Sequence, residues 1–176
     1  MRRTSWPFLA LAAVLLAGCA GDPEPKEPDA STTPSPTATP PPLPEAATQE
    51  TAEGAAAFVD HYLDVLNYAA HTGDTASLRA LTGPECGSCD KYMAVVDATH
   101  DAGGAYTGGD WSAGDVAVSF QGTEWRIEGE VTTEPGTFDN GSDPAEETAP
   151  STIMVAFLAQ HVEGKWLMSD FVEPGK

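Results

Sequence analysis

The last 128 residues of this 176-residue chain predict an α+β domain, with three N-terminal helices packed on a curved antiparallel sheet of four to five strands. Three observations carry that expectation. Apolar residues between about 52 and 102 recur every three to four positions, the helical period. After Gly104 the period falls to two, as side chains alternate across a strand. Glycine and proline punctuate the change at Gly73, Gly83-Pro84 and Gly103-Gly104.

The first helix is expected over Ala52 to Ala70. Ala55, Phe58, Val59, Tyr62, Leu63, Leu66 and Ala69 form one face, with Asp60, Asp64 and Asn67 largely opposite. Gly73 ends it and Asp74 caps a short second helix whose apolar positions are Leu78 and Leu81. A third runs from Ser88 to Ala102, with Tyr92, Met93, Val96 and Thr99 inward. Two alternating runs around Val116–Phe120 and Trp125–Val131 flank Gln121-Gly122-Thr123, a hairpin turn. Pro135 to Pro150 reads as an acidic loop. Ile153 to Ala159 is nearly all apolar, as in a strand covered on both faces, and Glu163-Gly164 turns it into a last strand from Lys165 to Val172.

Residues 1–48 are of another kind. Met1-Arg-Arg3 precedes an uninterrupted apolar run from Phe8 to Ala17. A permanent transmembrane helix needs about twenty such residues, so this run is the core of a signal peptide. It ends in Leu16-Ala17-Gly18-Cys19, which resembles the bacterial lipobox. The resemblance implies cleavage between Gly18 and Cys19 and lipid attachment at the Cys19 thiol, a good nucleophile as thiolate. Residues 19–48 then form a tether, expected to be disordered. Nine of the fifteen prolines lie there, and Leu43 is the only large apolar side chain, too little to offset the entropy of ordering. Extended, it spans up to roughly 90 Å. The divisions are therefore 1–18, 19–48 and 49–176.

Charge excludes some partners. Eight basic residues face 27 acidic ones, for a net of −19. Loss of residues 1–18 removes Arg2 and Arg3 and no acid, giving −21, of which −17 belongs to residues 49–176. Nucleic-acid binding and polybasic attachment to anionic lipid both need clustered cations. A cationic ligand or partner is the better match.

Ala57-Phe58-Val59 through Tyr62, Gly73-Asp74-Thr75-Ala76-Ser77-Leu78 and the closing Val162 to Phe171 hairpin resemble nuclear-transport-factor-2-like cone domains. Leu66-Asn67-Tyr68-Ala69, Gly73-Asp74-Thr75 and the Cys86/Cys89 pair, behind a lipobox and a Pro/Thr tether, resemble a family of uncharacterised actinobacterial lipoproteins. The resemblance implies a cone-shaped fold and an envelope location, and is nearly silent on activity.

Cys86-Gly87-Ser88-Cys89 is the sharpest chemical feature of the domain. In an exported protein the two thiols are expected to pair. A staple joining the second helix to the third is one reading. A redox couple with Cys89 at a helix N-terminus is the other, although such motifs follow a strand and here a helix and Gly-Pro precede. No second Cys/His pair at ligand spacing supports zinc, and no cofactor is expected. His61, His71, His100 and His161 are scattered, and no serine has a Gly-x-Ser-x-Gly context. His61 and Asp64 share a helix side, either as a solvated flank or as a polar pair at a pocket. Glu124, Glu128 and Glu130 share a strand face with Arg126. They are expected to point to water, since Trp125, Ile127 and Val131 take the inward side. Asp139 to Asp143 vaguely resembles a calcium loop but lacks the EF-hand glutamate. Tyr62, Trp111, Trp125, Phe157 and Trp166 either line an apolar pocket or fill the core.

These readings lead to a lipid-anchored, extracytoplasmic envelope protein whose domain binds a partner or small ligand without catalysis. The alternatives are an isomerase or cyclase using the cone pocket, which needs a titratable group inside it, and thiol redox work at Cys86/Cys89.

Overall fold

The computed structural model describes residues 38–174; the expectations for residues 1–18, for Cys19 and for most of the tether lie outside them. The described chain is α+β, as expected: three helices on antiparallel sheet. Helix α1 spans Ala52–Thr72, α2 Ala76–Ala80 and α3 Gly87–Asp101. Seven strands follow: β1 Ala105–Gly108, β2 Trp111–Phe120, β3 Trp125–Thr133, β4 Gly136–Asp139, β5 Glu146–Thr148, β6 Ser151–Val162 and β7 Lys165–Val172.

Local chemistry sets the helix ends. The Thr51 hydroxyl accepts the Gly54 N–H at 3.0 Å and caps α1. At the other end Gly73 turns left-handed, φ 75°, the usual terminator. Asp74 Oδ1 then accepts the Ala76 N–H at 3.1 Å, so the expected capping contact is made one residue before the helix boundary at Thr75. Cys86 opens α3, its sulfur accepting the Cys89 N–H at 3.3 Å.

The strands form two sheets rather than one. β2-β3-β6-β7 is the sheet beneath the helices, and β1-β4-β5 is a smaller second sheet. Pro135 to Pro150, read as a loop, contributes β4 and β5. Their short length and polar, Gly/Pro-bearing composition hide them from a period-two search. Sheet curvature has identifiable sources: β2 is bulged between Ala113 and Val116, and the β6–β7 register shifts at Leu158/Ala159.

The core lies between α1 and the four-stranded sheet. Phe58, Tyr62, Leu63, Leu66, Met93, Ile127, Phe157 and Met168 are all fully buried there. Strand β6 is covered on both faces only over Val155–Phe157; Ile153 and Met154 are exposed.

The folded unit also begins before residue 49, the boundary that proline content suggests. It starts at Ala38, and a single 3-10 turn over Ala46–Thr48 buries Ala47 against the core. The Gln49 carbonyl accepts the Trp166 indole N–H at 3.3 Å. The Ala38 carbonyl also accepts the Tyr68 hydroxyl at 3.2 Å, and none of these contacts leaves a mark in composition.

Candidate functional site

Of the aromatic residues singled out from sequence, most fill the core. Tyr62, Phe157 and Trp166 are buried. Trp166 stacks on Phe58 at 5.8 Å and meets Trp125 edge-on at 5.8 Å; Trp125 in turn contacts Phe120 at 4.9 Å. Burial pushes the Tyr62 hydroxyl up to about 12. Tyr62 joins this stack through Phe58 at 6.1 Å, and Phe157 packs on Phe171 at 6.4 Å. Trp166 also borders a small cavity of about 160 Å³, and Trp111 borders a larger one.

Trp111 lines a cleft of about 360 Å³ where α1, α3 and both sheets meet, within the size range of small-molecule sites. Four aromatic rings contribute. Tyr92 of α3 and Trp111 of β2 stand edge to face at 6.1 Å; Tyr106 of β1 and Phe138 of β4 lie 5.1 Å apart. Tyr106 OH and Thr99 Oγ1 are hydrogen-bonded at 3.2 Å. Burial, with the Tyr106 and Tyr62 hydroxyls adding to it, raises the Tyr92 hydroxyl well above the ordinary tyrosine range, so it stays a neutral phenol.

Helix α1 holds the strap that joins the two sheets. Asn67 Nδ2 donates to the Trp111 carbonyl at 2.9 Å, and Asn67 Oδ1 accepts the Trp111 N–H at 2.9 Å. One turn on, His71 Nε2 lies 3.2 Å from the Gly108 carbonyl and 3.0 Å from Asp110 Oδ1. Both neighbours are acceptors, so Nε2 carries a proton. Asn67 and His71 are i, i+4 on one helix face, which is how they reach successive points of residues 108–111. The sequence places Asn67 opposite the apolar face; the structure turns it to the strap.

The remaining sequence candidates fall elsewhere. His61, read either as a solvated flank or as half of a polar pair with Asp64, is only 4% exposed, and its Nδ1 is unpartnered. Burial lowers its pKa, with Asp64 opposing. Glu124, Glu128 and Glu130 point away from the core as expected, with Glu128 paired to Arg126 at 2.6 Å. Among the described residues no carboxylate lines the cleft. Asp139 to Asp143 folds as a turn on its own side chains: Asn140 Oδ1 accepts the N–H groups of Ser142 and Asp143, each at 2.9 Å. Among the described residues no His/Cys/Asp/Glu group is arranged to hold a metal. Cys86 and Cys89 stand at disulfide distance, Cα atoms 5.3 Å apart, and both are fully buried. Beside them Ser88 Oγ accepts the Phe171 N–H at 3.1 Å and contacts Asp170, fixing the start of α3 on β7.

A profile described as a family of unknown function, DUF6318, matches residues 26–171. The chain belongs to this family. No curated protein matches the DUF6318 chain significantly. Its fold is found in solved structures. The intermembrane space region of chloroplast protein ARC6 is 13% identical with a TM-score of 0.56, over 71% of this chain and 97% of that one. A chain described as a calcium/calmodulin dependent protein kinase II association domain from Xanthomonas campestris is 14% identical with a TM-score of 0.46, over 79% and 97%. One bearing the name Rd1NTF2_05 is 14% identical with a TM-score of 0.41, over 66% and 94%. At such identities the likeness is one of fold.

Proposed function

We propose that this DUF6318 protein is a lipid-anchored protein of the extracytoplasmic envelope whose domain is a non-catalytic module binding a small apolar ligand in the Trp111 cleft. The anchor reading rests on the basic start, the ten-residue apolar run and Leu-Ala-Gly-Cys19. The binding reading rests on one observation above all: apart from the buried core of α1 and the main sheet, four half-buried aromatic rings converge on a cleft of about 360 Å³. Rings left partly uncovered around a shared space form a surface that gains by being filled. Buried Cys86 and Cys89 favour a staple over exchange with a redox partner.

Two experiments test the two halves. Cys19→Ser is expected to move the protein out of the membrane fraction; a variant that still partitions with membranes removes the anchor assignment. Native mass spectrometry of protein purified from envelopes is expected to show a small-molecule adduct that Trp111→Ala loses. An adduct equally present in both, none in either, or its steady conversion to a product by wild type overturns the binding reading.

A further inference from the structure

The charge of the cleft and its surroundings narrows the ligand. Four basic side chains fall among the described residues: Arg79, Lys91, Arg126 and Lys165. None lines the cleft. Arg79 is paired with Asp97 and Arg126 with Glu128. The one titratable base in the lining, His71, is held by Asp110 at 3.0 Å, so the pair adds no net positive charge whatever the state of the ring. An anionic ligand entering here would lose its hydration and find no Lys or Arg of the described residues to replace it. A cation finds the reverse. The rings of Trp111, Tyr92, Tyr106 and Phe138 line one space, and an aromatic face attracts a cation. The Asp110 side chain is 44% exposed and stands between the lining residues Gly109 and Trp111. Around them is a domain carrying −17 over residues 49–176, which concentrates cations at its surface.

We infer that the cleft takes an organic cation with an apolar body: an amine or quaternary ammonium compound whose charge sits against the aromatic rings with Asp110 at the rim. The inference rests on the Trp111 cleft being the binding site. Each element has a role in it. The apolar body replaces water against the ring carbons, the rings attract the charge, and the strap held by Asn67 and His71 fixes Trp111 in place before ligand arrives.

The test uses the purified full chain and three probes sharing one apolar body: 4-phenylbutylamine, 4-phenylbutanol and 4-phenylbutanoate. The readout is the indole N–H resonance of Trp111, assigned by its loss in Trp111→Phe. The amine is expected to shift this resonance and to bind at least about twofold tighter than the alcohol, as a ring–cation attraction of ordinary size requires, with the carboxylate weakest. Asp110→Asn should weaken the amine and leave the alcohol unchanged. Equal binding of amine and alcohol, or tightest binding of the carboxylate, overturns the cation while leaving the cleft as a binding site. Equal loss of amine and alcohol in Asp110→Asn removes Asp110 from the recognition. A Trp111 resonance unmoved by all three probes, each tested to the millimolar range, removes the cleft itself.

Discussion

Asn67 and Trp111, 44 residues apart, are joined by two hydrogen bonds of 2.9 Å, one in each direction between the side-chain amide and the tryptophan backbone. Trp111 opens β2, an edge strand of the main sheet, where backbone groups otherwise lack partners. The amide supplies both a donor and an acceptor, so only asparagine or glutamine chemistry fits. Asn67→Ala is expected to cost about 1–3 kcal/mol by leaving part-buried backbone groups unpaired. Asn67→Asp keeps the acceptor, loses the donor and sets a charge against the Trp111 carbonyl, and should cost at least as much. Urea denaturation measures both. A loss below about 0.5 kcal/mol for each would show that water replaces the amide there.

Gly54 lies inside the first turn of α1, where alanine ordinarily stabilises a helix by about 1 kcal/mol. Here the sign reverses. A Cβ at Gly54 would stand 1.9 Å from the Gln49 carbonyl oxygen, the same oxygen that accepts the Trp166 indole N–H. Gly54→Ala must therefore push the 3-10 turn and its buried Ala47 off the domain, and is expected to lower the urea midpoint and to open the segment before residue 50 to proteolysis. A midpoint at or above wild type would mean that the segment is dispensable to the fold.

How far the fold and site were legible depends on which residues carry them. Long periodic stretches spoke clearly: the α1 face from Ala55 to Ala69 and the inward Trp125, Ile127 and Val131 are buried or half-buried as their spacing requires. Short polar strands did not, because β4 and β5, at four and three residues, contain too few alternations to form a pattern. The cleft was least legible. Trp111 was among the candidates, but its companions Tyr92, Tyr106 and Phe138 come from three other elements, and nothing in local spacing brings them together. Asn67 gives no local clue either: it falls with Asp60 and Asp64 opposite the apolar face, and its partner Trp111 lies 44 residues away.

His61 gives the stability a pH dependence whose sign follows from burial. Its folded pKa is lowered below 6.5, first by desolvation, with Asp64 opposing. Below pH 6.5 the unfolded chain takes up a proton that the folded chain refuses. The contribution is therefore complete above about pH 6.5 and is lost as the pH falls towards the folded value. Asp60 works in the opposite sense and in a more acidic window, because burial and then Asp64 raise it above 3.8. Wild type is expected to lose stability between about pH 8 and 5.5, and His61→Gln to lose less over that interval. Identical slopes for the two proteins would mean that His61 protonates as freely folded as unfolded.

The Cys86–Cys89 pair is expected to act as a modest staple. A closed loop of four residues restricts the unfolded chain by only about 2 kcal/mol in the chain-entropy picture. The double variant Cys86→Ser/Cys89→Ser should fold cooperatively with a loss of about that size, helped by Ser88 holding α3 to β7 through the Phe171 N–H. Because both cysteines are fully buried, a dithiol reductant should reduce the native protein no faster than the domain opens. Reduction at the rate of an exposed disulfide would revive a redox role.

Trp166 and Trp111 separate core from cleft by experiment. Trp166 is 3% exposed, packed on Phe58 and Trp125, with His161 edge-on at 5.0 Å and its indole N–H bonded to Gln49. Its removal leaves a cavity at the centre of the aromatic stack, and Trp166→Ala is expected to cost about 3–5 kcal/mol. Trp111 is only half-buried and lines the cleft. Its backbone bonds to Asn67 survive truncation of the side chain. Trp111→Ala should therefore cost clearly less than Trp166→Ala while abolishing binding of the phenylbutyl amine, read by titration calorimetry because this variant lacks the Trp111 indole. Trp166→Ala, where it folds, should retain that binding. The reverse assignment, with Trp111→Ala the more destabilising and binding intact, would make Trp111 a core residue and leave the cleft without its wall.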